Sequence, residues 1–315
     1  MPNSSKFNRA LLTGGNGNIG RLVADALLNI GVEVIKFDLP ETRPLRTRDG
    51  ETIVTGDIRN ESQISKLISK HKPDIIYHFA SLLSGSSEND LFTAWEINAT
   101  ASLQLMRLAI EHNVESFFFA STGATYGPDL EDPLPEGVAQ WPQTMYGVTK
   151  VAVERLGVYL KVKNGLDFRC LRFPLVISPF APQTAVTAYP SHAFQAAFTG
   201  KHFTFPVSPE VGMSSIFLED VINGIMQFTA TERIKVTQHA YNLHAFHFSA
   251  RAVEEEIRKH VPEFHCDYQP IAGVESLLRR WPNEFHDLNA RNDWGWGPQF
   301  DFQSSCNRMF ELLSG

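Results

Sequence analysis

With 315 residues, 43% of them hydrophobic, the chain can bury a sizeable core, organised as one large domain or one large and one smaller. A formal net charge of -7 with 20% charged residues gives no pull toward nucleic acid or anionic membrane, and no long uninterrupted apolar run predicts a membrane span. Cys170, Cys266 and Cys306 form no CxxC pair and no even framework, which points to a reducing compartment without a disulfide scaffold.

The polar start MPNSSKFNR has no signal-peptide pattern. A cytoplasmic location is expected, with a removed organellar leader left open as the alternative. Arg9 to Thr13 then reads as a short buried strand and Ile19 to Ile30 as a helix. Val32 to Phe37 and Thr52 to Thr55 read as strands, Ile64 to Ser69 as a helix, Asp74 to Phe79 as a strand. Leu91 to His112 is a long helical pattern, Ser116 to Ala120 a strand holding three consecutive phenylalanines, Tyr146 to Lys163 another long helix, and Phe168 to Phe173 a strand. Short apolar runs alternating with helices predict an α/β fold: a Rossmann-like, doubly wound parallel sheet covered on both faces.

Beyond Pro174 prolines break the pattern, and helices return at Glu219 to Phe228, Arg251 to Lys259 and Ser304 to Leu313. Residues 1–174 are expected to form the nucleotide-binding domain. Residues 175–315 are expected to be mainly a smaller C-terminal substrate-binding lobe, with some segments returning to the first domain.

The first strand runs into TGGNGNIG, with glycines at 14, 15, 17 and 20. In a strand–loop–helix, Gly14 allows a tight turn, Gly17 lets the backbone approach a pyrophosphate, and Gly20 lets helix and strand pack closely. Amides around Asn18 and Ile19 at the helix start would face the phosphates. The spacing is GxxGxxG rather than GxGxxG, so the loop alone is a weak signal. Asp38 strengthens it: it closes the second strand, where a carboxylate accepts from the adenosine ribose hydroxyls and repels a 2′-phosphate, favouring NAD over NADP. Asp57, in GDI after the third strand, is placed to reach the adenine edge.

MYGVTK sets Tyr146 and Lys150 four apart on one helical face. A tyrosine of pKa about 10 is a poor base at neutral pH. A neighbouring ammonium and the positive nicotinamide ring would both favour its phenolate, and Lys150 could also hold the nicotinamide ribose. STGATYG follows the phenylalanine strand, so Ser121 and Thr122 are both candidates for a hydroxyl that bonds the substrate oxygen. The scattered histidines bring no recognisable ligand set, and no metal is expected.

Together TGGNGNIG, GDI, HFA (78–80), STGATYG, YGVTK and RFP (172–174) resemble the extended short-chain dehydrogenase/reductase superfamily over most of the chain. The resemblance implies a Thr122–Tyr146–Lys150 catalytic group. It also implies NAD contacts from Gly14, Gly17, Asn18, Ile19, Gly20, Asp38, Asp57, Ile58, Phe79, Ala80, Ser81, Asn98, Tyr146, Lys150 and Phe173. HFASLLSG, YNLHAFHFSA, KHVPEF and especially ARNDWGW are similar to the NAD-dependent L-threonine 3-dehydrogenases of that superfamily. That similarity implies oxidation of L-threonine to 2-amino-3-ketobutyrate in a homodimer paired through the two long helices. Ser84, Thr122, Tyr146, Thr187 and Trp281 would line the substrate pocket.

Two departures stand out. Where these dehydrogenases carry a GTTDY-like segment, this chain has AVTAY, with Ala188 in place of the aspartate. Arg279-Arg280 stand where these dehydrogenases typically carry an aspartate-serine before Trp281-Pro282. Either the pocket takes a less cationic or more anionic ligand, or the arginines are solvated helix residues. The rival enzymatic reading is a nucleotide-sugar epimerase or dehydratase with tightly bound NAD; a cofactor-binding protein without turnover is the non-enzymatic one.

Overall fold

The structure, a computed structural model, describes residues 6–40, 47–182, 185 and 187–314. Its strands are β1 (Arg9–Thr13), β2 (Glu33–Asp38), β3 (Glu51–Thr55), β4 (Ile75–His78), β5 (Ser116–Thr122), β6 (Asp167–Phe173), β7 (Leu175–Ile177), β8 (Phe203–Phe205), β9 (Gly212–Phe217), β10 (Tyr241–Asn242), β11 (Phe246–Ser249) and β12 (Cys266–Tyr268). A seven-stranded sheet runs β10-β6-β5-β4-β1-β2-β3. The pairs β1–β2, β2–β3, β1–β4 and β4–β5 are all parallel. The chain leaves β1 toward β2 and β3 on one side, then returns to lay β4 on the other. The carboxyl ends of β1 and β4 therefore flank the topological switch point, where α/β folds bind their ligands.

The chain divides into two compact units. The first holds the described residues of Met1–Thr122, Thr144–Leu171 and Ile222–Ala240, the second those of Gly123–Gln143, Arg172–Val221 and Tyr241–Gly315.

In the first unit β4 is buried at every position and β1 at all but its first, as strands covered on both faces must be. One face of the sheet packs Leu11, Ile35, Phe37, Ile76, Phe117, Phe119 and Phe168 against three helices, α2 (Glu61–His71), α5 (Ala101–Glu111) and α6 (Met145–Asn164). The helix following β1, α1 (Asn18–Asn29), buries Gly20, Val23, Ala24 and Leu27, the spacing of a single helical stripe. Thr144 starts α6 by accepting from the Gly147 amide at 3.1 Å. Gly165 ends it at φ +76°. Midway, a Cβ on Gly157 would lie 2.3 Å from the Phe168 ring, so only glycine lets α6 approach β6 this closely.

The long helix expected over 91–112 is interrupted. It consists of α4 (Leu91–Trp95), a π-helical stretch Glu96–Thr100, and α5. An inserted residue of this kind widens one turn and re-aims a side chain, and the residue within it is Asn98. A short α3 (Ser84–Asn89) precedes it. The remaining helices are α7 (Tyr189–Phe198), α8 (Leu218–Ala230), α9 (Ala250–His260), α10 (Ala272–Leu278), α11 (Leu288–Trp294) and α12 (Phe302–Ser314). No helix among the described residues is long and apolar enough to cross a membrane.

The second unit carries a three-stranded sheet β11-β9-β7 and a β12-β8 pair. Its own core joins Phe194, Phe205, Phe217, Phe248, Val253, Ile257 and Met309. A smaller cluster gathers Tyr126, Leu134 and Phe285.

Candidate active site

The glycine loop closes on itself as its sequence demands. Gly14 has φ +68°, and a Cβ there would lie 2.6 Å from the Ala80 nitrogen; on Gly20 a Cβ would lie 2.3 Å from the Gly14 carbonyl oxygen. The Gly17 amide donates to that same carbonyl at 3.1 Å, and Gly17 becomes the N-cap of α1. Gly14 and Ala80, far apart in sequence, are thus pressed together at the switch point. Phe79 reaches the same place by donating its amide to Thr13 O at 2.9 Å. This is the N-terminal end of α1, where the helix dipole favours an anion.

Asp38 closes β2 beside the loop. Its carboxylate accepts from the Asn16 amide at 2.9 Å and the Leu39 amide at 2.8 Å, which fixes its orientation. The Asn16 side chain is the feature sequence reasoning missed. Both its polar atoms are shut away from water with no hydrogen-bond partner among the described residues. Burying an amide unpaired costs about 1–3 kcal/mol, so its position between two cradle glycines fits a polar group of a bound dinucleotide. The signal available in the sequence was a polar residue inside the loop, one position before the helix cap. These features fit NAD: a cradle that a Cβ would fill, a helix N-terminus, an oriented carboxylate and an orphaned amide.

Asp57 is engaged locally. Arg59 donates to both its oxygens at 2.6–3.1 Å, and this bonding holds its carboxyl below the usual carboxylate value. Its neighbour Ile58 is buried. Asn98 is almost fully buried and acts as a clamp. Its Oδ1 accepts from the Leu82 amide at 2.7 Å, and its Nδ2 donates to Leu82 O at 3.0 Å and Thr149 Oγ1 at 3.3 Å. It thereby pins the loop that carries Ala80, Ser81 and Ser84 to the helix that carries Tyr146.

The candidate trio Thr122, Tyr146 and Lys150 lies at the carboxyl end of β5 and the first turns of α6. Thr122 is the last residue of β5, half-buried. Lys150 is 3% exposed; its Nζ donates to Ala120 O at 2.9 Å and lies 5.4 Å from the centre of the Tyr146 ring. Of the two hydroxyl candidates, Ser121 donates to Glu154 Oε1 at 2.5 Å in a buried bond. Strand alternation turns Thr122 to the opposite face.

Burial pushes Tyr146 up to about 12 and Lys150 down to about 8. In the chain by itself desolvation therefore outweighs the ammonium's help expected from the sequence, and Tyr146 rests as a protonated phenol. His78, beneath the site, is neutral. Burial, then Lys150, drives it down to about 3, and its ring nitrogens meet Thr13 Oγ1 at 2.6 Å and Ser102 Oγ at 2.7 Å.

In the second unit, Phe173 ends β6 buried and Thr187 is a half-buried loop residue ahead of α7. Trp281 stacks on Phe285, and a Cβ on Gly123 would lie 3.0 Å from its ring. Its indole N–H is shut away from water with no hydrogen-bond partner among the described residues. Ala188 is the N-cap of α7 and supplies no capping side-chain bond. Arg279 is exposed and paired with Glu275 at 2.6 Å; Arg280 is exposed as well. The arginines thus follow the solvated alternative.

Residues 10–243 match the NAD dependent epimerase/dehydratase family. The chain belongs to this family, and through it to the extended short-chain dehydrogenase/reductases, an NAD-dependent class of enzymes. It is 29% identical to the mitochondrial L-threonine 3-dehydrogenase of Sus scrofa over 96% of this chain and 82% of that one. It is 31% identical to an uncharacterized epimerase/dehydratase of Staphylococcus saprophyticus over 98% of both. A monomeric L-threonine 3-dehydrogenase from a metagenome superposes with a TM-score of 0.89 at 29% identity, over 96% of this chain and 98% of that one.

Proposed function

We propose that the protein is a dehydrogenase that oxidises the secondary alcohol of a small β-hydroxy acid, L-threonine foremost, with NAD. The observation that carries this reading is the trio itself. Lys150 lies under the Tyr146 ring and is bonded to the β5 carbonyl two residues before Thr122. NAD, when bound, supplies the hydride acceptor. Thr122 holds the substrate oxygen, Tyr146 takes its proton, and Lys150 supports the phenolate and passes the proton outward. Gly14, Gly17, Asn18, Ile19, Gly20, Asp38, Ile58, Ala80 and Ser81 would hold the cofactor, with Asn16 added to them. Asp57, bound by Arg59, would act from the rim. Ser84, Thr187 and Trp281 are assigned to the substrate, and the partnerless indole N–H of Trp281 suits a carboxylate acceptor.

A homodimer is the proposed assembly. α4, α5 and α6 leave Leu91, Phe92, Trp95, Leu103, Val148, Tyr159 and Val162 exposed, an apolar set larger than lone surface residues explain. Free thiols at all three cysteines suit the cytoplasm.

The test is NADH formation at 340 nm with NAD and L-threonine beside a panel of other β-hydroxy acids. Efficient turnover of threonine is expected. Silence across the panel, with NAD co-purifying, would replace this reading with the nucleotide-sugar epimerase.

A further inference from the structure

The buried stripe of α6 includes Gly147, Lys150, Val153, Glu154, Gly157 and Leu160. Two of its members carry charge. Lys150 has a role in the mechanism; Glu154, one turn further along and 3% exposed, has none so far. A carboxylate is an expensive way to fill a stripe whose neighbours are apolar or small. What it touches explains its presence. Glu154 Oε1 accepts from Ser121 Oγ at 2.5 Å, while Lys150 Nζ donates to Ala120 O at 2.9 Å. Two charged side chains, one helical turn apart, grip two consecutive residues of β5, and the next residue is Thr122.

We propose that Glu154 is a positioning residue of the catalytic centre: through Ser121 it fixes the strand end that presents Thr122, and it sets a carboxyl group one helical turn from Lys150. The assignment rests on the catalytic reading of Tyr146 and Lys150 given above.

The groups facing Lys150 are few. Tyr146 and Glu154 share its helix; Cys170 faces it from β6, His78 from β4, and the Phe119 ring and Ala120 carbonyl from β5. His78 is neutral and Tyr146 is a phenol, so neither supplies a negative charge. Burial drags Lys150 downward, while Cys170 and Glu154 act upward.

Thermal unfolding without substrate or NAD tests this across pH 6.5 to 10, so the result is independent of what the enzyme oxidises. Glu154→Gln keeps an acceptor for Ser121 and removes the charge. Lys150's proton costs stability while it is held in the folded state below about 8, and Glu154 reduces that cost. Glu154→Gln is therefore expected to melt below the wild type near neutrality, with a deficit that fades as the pH passes about 8 and Lys150 loses its proton in the wild type too. Ser121→Ala and Glu154→Asp keep the charge and disturb the bond, so their deficits are expected to stay level with pH. In Ser121→Ala, kcat is expected to fall roughly tenfold with KM nearly unchanged. A level deficit in Glu154→Gln, or a fading one in Glu154→Asp, would overturn the proposal.

Discussion

The ammonium of Lys150 lies 5.4 Å from the centre of the Tyr146 ring, one turn along the same helix. Neither group is poised in the chain by itself: burial holds the phenol up at about 12 and draws the amine down to about 8. The positive nicotinamide ring would then supply what the protein withholds, so the base forms only where it is to be used.

A pH dependence follows from this. Oxidation needs Tyr146 without its proton, and ketone reduction needs it protonated. At saturating NAD, alcohol oxidation should climb from pH 6 to 8, while reduction with NADH should decline over the same range. Initial rates in both directions check this; an oxidation rate level across that range would contradict it.

Asp38 should set cofactor choice. Asp38→Asn removes the charge that ribose hydroxyls bond and that a 2′-phosphate avoids. Hydrogen bonds to a charged group contribute about 1.5–3 kcal/mol, so NAD should weaken by roughly 10–100-fold while NADP weakens less or improves. Paired fluorescence titrations with NADH and NADPH measure the ratio.

Gly20→Ala should abolish cofactor binding. The new Cβ would lie 2.3 Å from the Gly14 carbonyl oxygen and 3.0 Å from the Gly15 Cα, both backbone atoms. The loop must open to admit it, which spoils the cradle. An NADH titration that still saturates at wild-type concentrations would contradict this.

Asn98→Ala should loosen the loop that carries Ser84. It leaves the Leu82 amide and carbonyl without their shared partner and should cost about 1–3 kcal/mol, read as a lower midpoint in denaturant unfolding.

Much of this was legible in the sequence because it is written in local pattern. The apolar runs of β1, β2, β4, β5 and β6, the glycines between β1 and α1, and the Tyr146–Lys150 spacing each follow from a period or a steric rule. What was not legible runs against the pattern. The π-helical turn at Glu96–Thr100 adds one residue to a helical period and leaves its hydrophobic face recognisable, so 91–112 reads as a single helix. Glu154 looks like an ordinary polar helix position, and only tertiary packing buries it; Asn98 is named by the resemblance as an NAD contact, but its clamp on Leu82 is visible only in the fold. Asn16 sits among glycines that draw the eye. The resemblance names Thr122 over Ser121; the bond from Ser121 to Glu154 is what only the fold reveals. For Arg279 the sequence leaves a pocket charge and a solvated helix residue both open, and the exposed pair with Glu275 decides between them.

The most direct test of the account is single-turnover NADH formation by Tyr146→Phe beside the wild type, with NADH affinity measured on the same samples. The account predicts a loss of turnover by orders of magnitude with cofactor affinity nearly intact. Turnover that survives the loss of the hydroxyl would contradict it.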